Sequence, residues 1–189
     1  MPIELASSRL ALTELARLQD NVLTRHQLYG CGYTESSIRA RIRVRRWQAC
    51  GRRVVVLHNG PLTTRQRWWV AVLAQHDAAL AGITAATEHG LSGFHDETIH
   101  LLLQFGARRH PVPGVRLHVS RRFGAADIHP GRALPTVRIE RALVDAASWT
   151  PPERKAWPCS RRASNKGSRR HLDSSRNSMQ PQARAITTC

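Results

Sequence analysis

Residues Val22 to Leu57, VLTRHQLYGCGYTESSIRARIRVRRWQACGRRVVVL, carry the reading that decides the fold. Thr24 is a helix-capping residue, and a short helix from Arg25 to Tyr29 follows it with Leu28 turned inward. Gly30-Cys31-Gly32 breaks that helix, because glycine accepts the backbone angles of a tight turn. Thr34 caps a third helix in which Ile38 and Ile42, four apart, share the buried face. At about 100° per residue the opposite face carries Ser36, Ala40 and Arg43, with Ser37 and Arg39 at its margins. Trp47-Gln48-Ala49 and Val54-Val55-Val56-Leu57 alternate poorly but are β-prone, which predicts two strands joined at Gly51-Arg52-Arg53.

Helix, turn, helix and two-stranded hairpin, in that order, predict a winged helix-turn-helix. Seven arginines fall between Arg39 and Arg53 with no acid among them. Small side chains on the outer face of the third helix let a backbone approach a duplex, and arginines there reach bases or phosphates. The candidate DNA-binding set is therefore Ser36, Ser37, Arg39, Ala40 and Arg43 on the helix, with Arg52 and Arg53 on the wing. A charge run by itself usually marks a solvated face. Its coincidence with these two elements favours a polyanionic partner, and double-stranded DNA is the simplest.

Working outward, Ser7 to Leu18 reads as an amphipathic helix with Leu10, Leu12, Leu15 and Leu18 at near-helical spacing and Ser7 or Ser8 as its cap. Gly60-Pro61 closes a first unit, residues 1–60. A second, 61–156, begins with a helix from Leu62 to Gln75 whose Trp68, Trp69, Val72 and Leu73 form a broad apolar face, read as core. Ala78 to His89 reads as another helix, ended by Gly90. Thr98 to Gln104 and Val115 to Ser120 read as strands separated by a turn at Pro111 to Gly114. A helix from Pro135 to Ala147 follows, with Ile139, Leu143 and Val144 as its inward stripe. The expected fold class is α+β: a winged helix-turn-helix, a small helix/strand domain and a disordered tail.

Composition agrees with a basic, non-secreted chain. The formal net charge is +16 and nearly all the basic residues are arginine. Part of that bias follows from G+C-rich coding, so clustering weighs more than the total. Cys31, Cys50, Cys159 and Cys189 are far apart and form neither a zinc pattern nor a disulfide framework. No apolar run is long enough to span a bilayer, and no secretory segment is present, so a cytoplasmic location is expected. His95-Asp96-Glu97 with His100 is the one metal-like cluster. Its spacing matches no common zinc motif, and solvated side chains on a loop are expected there. No phosphate loop, no G-x-S-x-G element and no recognisable Cys–His pairing point to catalysis. No enzyme, cofactor or metal is therefore expected.

The layout of LARLQDNVLTRHQL followed by IRARIRVRRWQACGRRVVVL resembles the N-terminal winged helix of AbiEi-type antitoxins. PLTTRQRWWVAVLA, ITAATEHGL and VRIERALVDAASW resemble the continuation found in a group of actinobacterial proteins that often end in a very-short-patch-repair-like endonuclease domain. The likeness covers roughly Leu10 to Ala156 and rests on pattern rather than on one diagnostic motif. It implies a DNA-binding repressor of its own operon and, in true antitoxins, a nucleotidyltransferase-like toxin as partner. The nuclease-like relatives carry a carboxylate cluster around a Glu-x-Asp-Gly strand, which metal-assisted cleavage needs. That element is absent from this sequence. The alternative is thus an inactive remnant of an endonuclease-domain protein; a toxin-binding module without DNA is a third reading.

Trp157 to Cys189 has no apolar periodicity and is rich in Ser, Arg, Asn and Gln, the composition of a disordered tail. Read in a shifted frame, with G or C at most free positions, the same bases encode an Ala/Leu-rich helical pattern. The expectation is a base lost or gained near codon 156.

Overall fold

The computed structural model describes residues 2–94 and 96–149, with side chains described from Leu10 onward. His95 and the tail that the shifted-frame reading concerns lie outside the described residues. The fold is α+β, with six helices and two three-stranded sheets among the described residues. These residues fall within one compact unit, Met1–Lys155. No helix among them is long and apolar enough to cross a membrane.

Helix α1 spans Pro2–Leu18. It begins five residues before Ser7, with proline at the first helical position, where a missing N–H costs nothing. Asp20 and Asn21 take positive φ (50° and 63°) and turn the chain into strand β1, Val22–Thr24. Helices α2, Arg25–Gly30, and α3, Glu35–Arg43, each open on a threonine that accepts from the third helical amide. In α2 the return bond runs from the Thr24 amide to Gln27 Oε1 at 2.8 Å; in α3 it runs from the Thr34 amide to Ser37 Oγ at 3.1 Å. Both are reciprocal caps of the S/T-x-x-E/Q kind, one with serine in the last place. Strands β2, Gln48–Cys50, and β3, Val54–Val56, form a hairpin, and β3 is central in the order β1-β3-β2.

Every residue of β3 is fully buried. Val55 joins Leu23, Leu28, Ile38 and Trp47 in one apolar cluster. Val54 and Val56 point the other way and join Val22, Trp69, Val72 and the second sheet in a larger one. Residues on both sides of Gly60 thus share a core. Polar contacts reinforce it: Asp20 Oδ2 accepts from Arg65 Nε (2.8 Å) and Trp69 Nε1 (3.1 Å), and Gln66 Nε2 donates to the Asp20 carbonyl.

Helix α4, Thr64–Ala74, lies within the helix expected over Leu62 to Gln75 and is capped by Thr63. The helix expected over Ala78 to His89 is instead strand β4, Ala78–Leu80, followed by helix α5, Gly82–Glu88. Ala79, Leu80 and Ala81 are each fully buried, and pairing with β5 (Ile99–Gln104) overrides alanine's helical preference. Strand β6, Val115–Ser120, runs parallel to β5 although only the short Pro/Gly-marked loop 105–114 joins them. A connection that short normally makes an antiparallel pair. A 3-10 turn at Ala125–Asp127 leads towards helix α6, Ile139–Trp149.

Of the inward stripe expected for α6, Ile139 packs against the core, and the other two residues are corrected. Leu143 and Val144 are 45% and 63% exposed, whereas Ala142 and Asp145 are buried. Small side chains on α5 and α6, Ala85, Ala86 and Ala142, lie in the core. Asp145 is tolerated inside because both of its carboxylate oxygens accept from Arg141 Nε at 3.0 Å. Trp149 lies over Gly82, where an added Cβ would fall 2.8 Å from the indole and where φ is +55°.

The expectation of solvated side chains holds for Asp96 and Glu97, which are exposed, and is corrected for His100. Its ring is buried. Nε2 donates to Asp96 Oδ2 at 3.2 Å, and Nδ1 lies 3.0 Å from His118 Nε2. His118 in turn stacks flat on Trp149, with centroids 3.4 Å apart and planes 5° from parallel. The carboxylate can only accept, so the proton of that bond sits on His100 Nε2. The chain Asp96–His100–His118–Trp149 ties the end of α6 to both strands of the parallel pair. Burial, then the His100 and Arg116 charges, push the His118 ring down to about 4. Burial works against ionisation of Asp96, but the Thr98 amide and His100 outweigh it and hold its pKa below the usual 3.8.

Two outcomes follow for stability. Gly82→Ala places a methyl against Trp149 and strains the backbone; it should cost on the order of 2 kcal/mol in a denaturant melt. An unfolded His118 takes up a proton near pH 6.5, while the folded ring resists until about pH 4. Its contribution is therefore intact above pH 6.5 and declines as pH falls through that window. Asp96 loses its share only at more acid pH. Thermal melts from pH 7 to 4 should show a shallower fall for His118→Asn than for the native chain.

Candidate nucleic-acid interface

The third helix is fixed from below. Ile38 is fully buried and Ile42 half-buried against Leu28, Leu23, Val55 and Trp47. With that face sealed, the helical repeat turns Ser36, Arg39, Ala40 and Arg43 outward, and all four are exposed. Gly32, at φ 81°, supplies the reversal between α2 and α3. Arg45, at φ 55°, ends the helix and returns the chain to Trp47.

Not every predicted residue is equally free. Ser37 is half-buried and its hydroxyl is committed: it donates to the Thr34 carbonyl at 2.9 Å and accepts from the Thr34 amide. Arg39 is exposed but its Nε donates to Glu35 Oε1 at 2.8 Å. Arg52 is exposed at the hairpin loop, next to Gly51, whose φ of 73° suits glycine. Arg53 is half-buried and leans away from the loop, its Nη2 3.5 Å from His76 Nδ1. Of the seven arginines in the run, Arg41 also serves the fold. Its guanidinium stacks 4.8 Å from the Tyr33 ring and 5.1 Å from Trp47, and it donates to the Ser37 carbonyl. Arg43, Arg45, Arg46 and Arg52 are exposed, and among the described residues none of them has a carboxylate within 4.0 Å.

Two residues outside the predicted set hold the site in shape. Glu35 is the one acid between Asp20 and Asp77, a span containing ten arginines. It accepts both oxygens' bonds from Arg25 Nη1 (3.1 and 3.0 Å), one from the Tyr29 hydroxyl (2.7 Å) and one from Arg39. Arg25 meanwhile donates Nε to the Arg52 carbonyl at 3.0 Å, and its amide donates to the Arg53 carbonyl at 2.8 Å. One guanidinium thus links the start of α3 to the hairpin loop. The bonds from Tyr29 and Arg39 lower the Glu35 pKa below 4.5, and the same bond raises that of Tyr29. The lowered value makes this junction fully present above pH 4.5 and lost only as pH falls through the folded pKa. A solitary carboxylate amid arginines was the available sequence signal for Glu35. Arg25 had none, since its partners lie ten and 27 residues away.

The arrangement can present a cationic strip: small residues and one arginine on a helix, more arginines at its end, and a tethered arginine on an adjoining loop. That combination suits a polyanion with a groove better than a small ligand. Among the described residues no group of three or more His, Cys, Asp or Glu side chains could hold a metal ion. No protein-family model matches the chain, and no curated protein is similar to it in sequence.

Proposed function

We propose that this protein is a DNA-binding transcriptional regulator of winged helix-turn-helix type, with α3 as the recognition helix and the β2–β3 loop as the wing. The carrying observation is the exposed Ser36–Ala40–Arg43 face above a sealed apolar face, beside arginines that have no acidic partner among the described residues. In this reading Arg43 reaches base edges in the major groove. Ser36 and Ala40 permit close approach, Arg52 meets a phosphate beside it, and Arg45 and Arg46 add phosphate contacts at the helix end. Ser37 and Arg53 act by holding the helix cap and the hairpin rather than by touching DNA. Arg39 is shared between Glu35 and the backbone of the duplex.

The further assignment, an AbiEi-type antitoxin acting in the cytoplasm on its own promoter and on a nucleotidyltransferase-like toxin, is supported by sequence resemblance over Leu10 to Ala156.

About four arginines placed against phosphates or bases give a slope of roughly −3 to −4 for log affinity against log salt. Fluorescence anisotropy with the duplex upstream of the gene should show it. Arg52→Ala should weaken all duplexes alike and reduce the slope by about one. Arg43→Ala should cost about 1–3 kcal/mol on the preferred sequence and narrow its lead over others. A chain that binds no duplex even at low salt removes the proposal.

Glu35→Gln tests the scaffold beneath the interface. It raises net charge yet loosens α2, α3 and the loop from one another. Nonspecific affinity should hold or rise, while the preference among sequences drops and the melting temperature falls. Equal preference in variant and native chain would mean that Glu35 does not position the helix.

A further inference from the structure

Sheet order places three chain segments side by side at one end of the second sheet. Ala78 pairs with Leu103, and Gln104 with Ser120. His76 and Asp77, entering β4, therefore flank Phe105, leaving β5, which flanks Arg121 and Arg122, leaving β6. At about 4.8 Å between strands the whole edge is roughly 10 Å across. The hairpin that carries Arg52 adjoins this end, because Arg53 reaches His76. The loop leaving Phe105 adds Arg108 and Arg109, and its His110 is bonded to Gln75 through both amide atoms.

Two properties set this edge apart from an ordinary basic surface. Arg108, Arg109, Arg121 and Arg122 are all exposed, and among the described residues none has a carboxylate within 4.0 Å. In their midst Phe105 is 60% exposed, the one exposed residue among the described phenylalanines and tryptophans. The Arg121 guanidinium lies 4.5 Å from its ring centroid. An exposed aromatic ring with a guanidinium over one face, among further arginines without a carboxylate partner among the described residues, is an arrangement that takes an unpaired base by stacking on the other face and its phosphates by charge; a base inside a duplex cannot reach such a ring.

We infer that the carboxyl end of the β5–β6 pair is a second nucleic-acid surface, which stacks an unpaired base of single-stranded DNA on Phe105 and holds its phosphates with Arg108, Arg109, Arg121 and Arg122. Its placement beside the hairpin makes it a continuation of the duplex interface, so it rests on that reading for the geometry of the handover but not for its own chemistry. The substrate class it selects is a duplex with a single-stranded extension over a blunt one.

The test is anisotropy with the full chain on one duplex, blunt or bearing a short oligothymidine extension at either end, and on the oligothymidine alone. One end's extension should raise affinity about tenfold over blunt, the scale of one stacked base plus phosphate contacts. Phe105→Ala should abolish that gain and leave blunt binding unchanged, while Phe105→Trp keeps it. Arg121→Gln with Arg122→Gln should reduce it several-fold. Blunt binding with no gain from an extension at either end overturns this inference and leaves the duplex reading standing, as does a gain that survives Phe105→Ala. Oligothymidine binding that depends on Phe105, without any blunt binding, supports this surface and removes the duplex reading. No binding to any of the three overturns both.

Discussion

Strand β3 is the constraint from which the rest follows. Its three valines alternate in direction, as any strand's side chains must, and both directions are occupied by core. Val55 closes the cluster beneath α2 and α3; Val54 and Val56 close the one that reaches Trp69 and the second sheet. Burying such side chains is worth about 1.5–3 kcal/mol each. A one-residue slip in pairing would exchange the two sets. Register in this sheet therefore fixes at once the seat of the outer helix and the attachment of everything after Gly60.

On that base the arginines divide by role. Arg25, Arg39 and Arg41 are drawn to Glu35, to the Arg52 carbonyl and to the Tyr33–Trp47 pair. The first two converge on a single carboxylate, which keeps like charges from driving α2 and α3 apart. Arg43, Arg45, Arg46 and Arg52 have no such engagement. Net charge alone would have credited all of them to a partner. Between Arg25 and Arg53 part of the positive charge is architecture, and the part left over is clustered at one helix and one loop.

The elements most legible from sequence are those whose cause is local. Thr24 and Thr34 each announce a helix that begins at the next residue, whereas the helix expected from Leu62 begins at Thr64, after its cap Thr63. The outer face of α3 was legible for the same reason, since Ile38 and Ile42 fix its phase. What could not be read depends on distant partners. Ala-Ala-Leu at β4 is helical by propensity and becomes a strand only because β5 pairs with it. The α6 stripe was misassigned because size was taken as a guide to burial, whereas close packing against α5 selects small Ala142 and leaves Leu143 and Val144 outside. His100 was read as solvated at the start of its strand, beside acids; its fate is set by His118 and Trp149, 18 and 49 residues further on. The weak alternation of Val54 to Leu57 was itself informative, because a strand covered on both faces has none to show.

Double-sided burial of the first sheet also bears on how the molecule can be dissected. A fragment ending near Gly60 would keep every hydrogen bond of the β1-β3-β2 ladder and yet bare the Val22, Val54 and Val56 side of it to water. Such a piece would carry the whole cationic strip on one surface and a flat apolar sheet face on the other. Excision would turn a buried core face into an adhesive surface, and the fragment would cluster with its own copies before it could be judged as a binder.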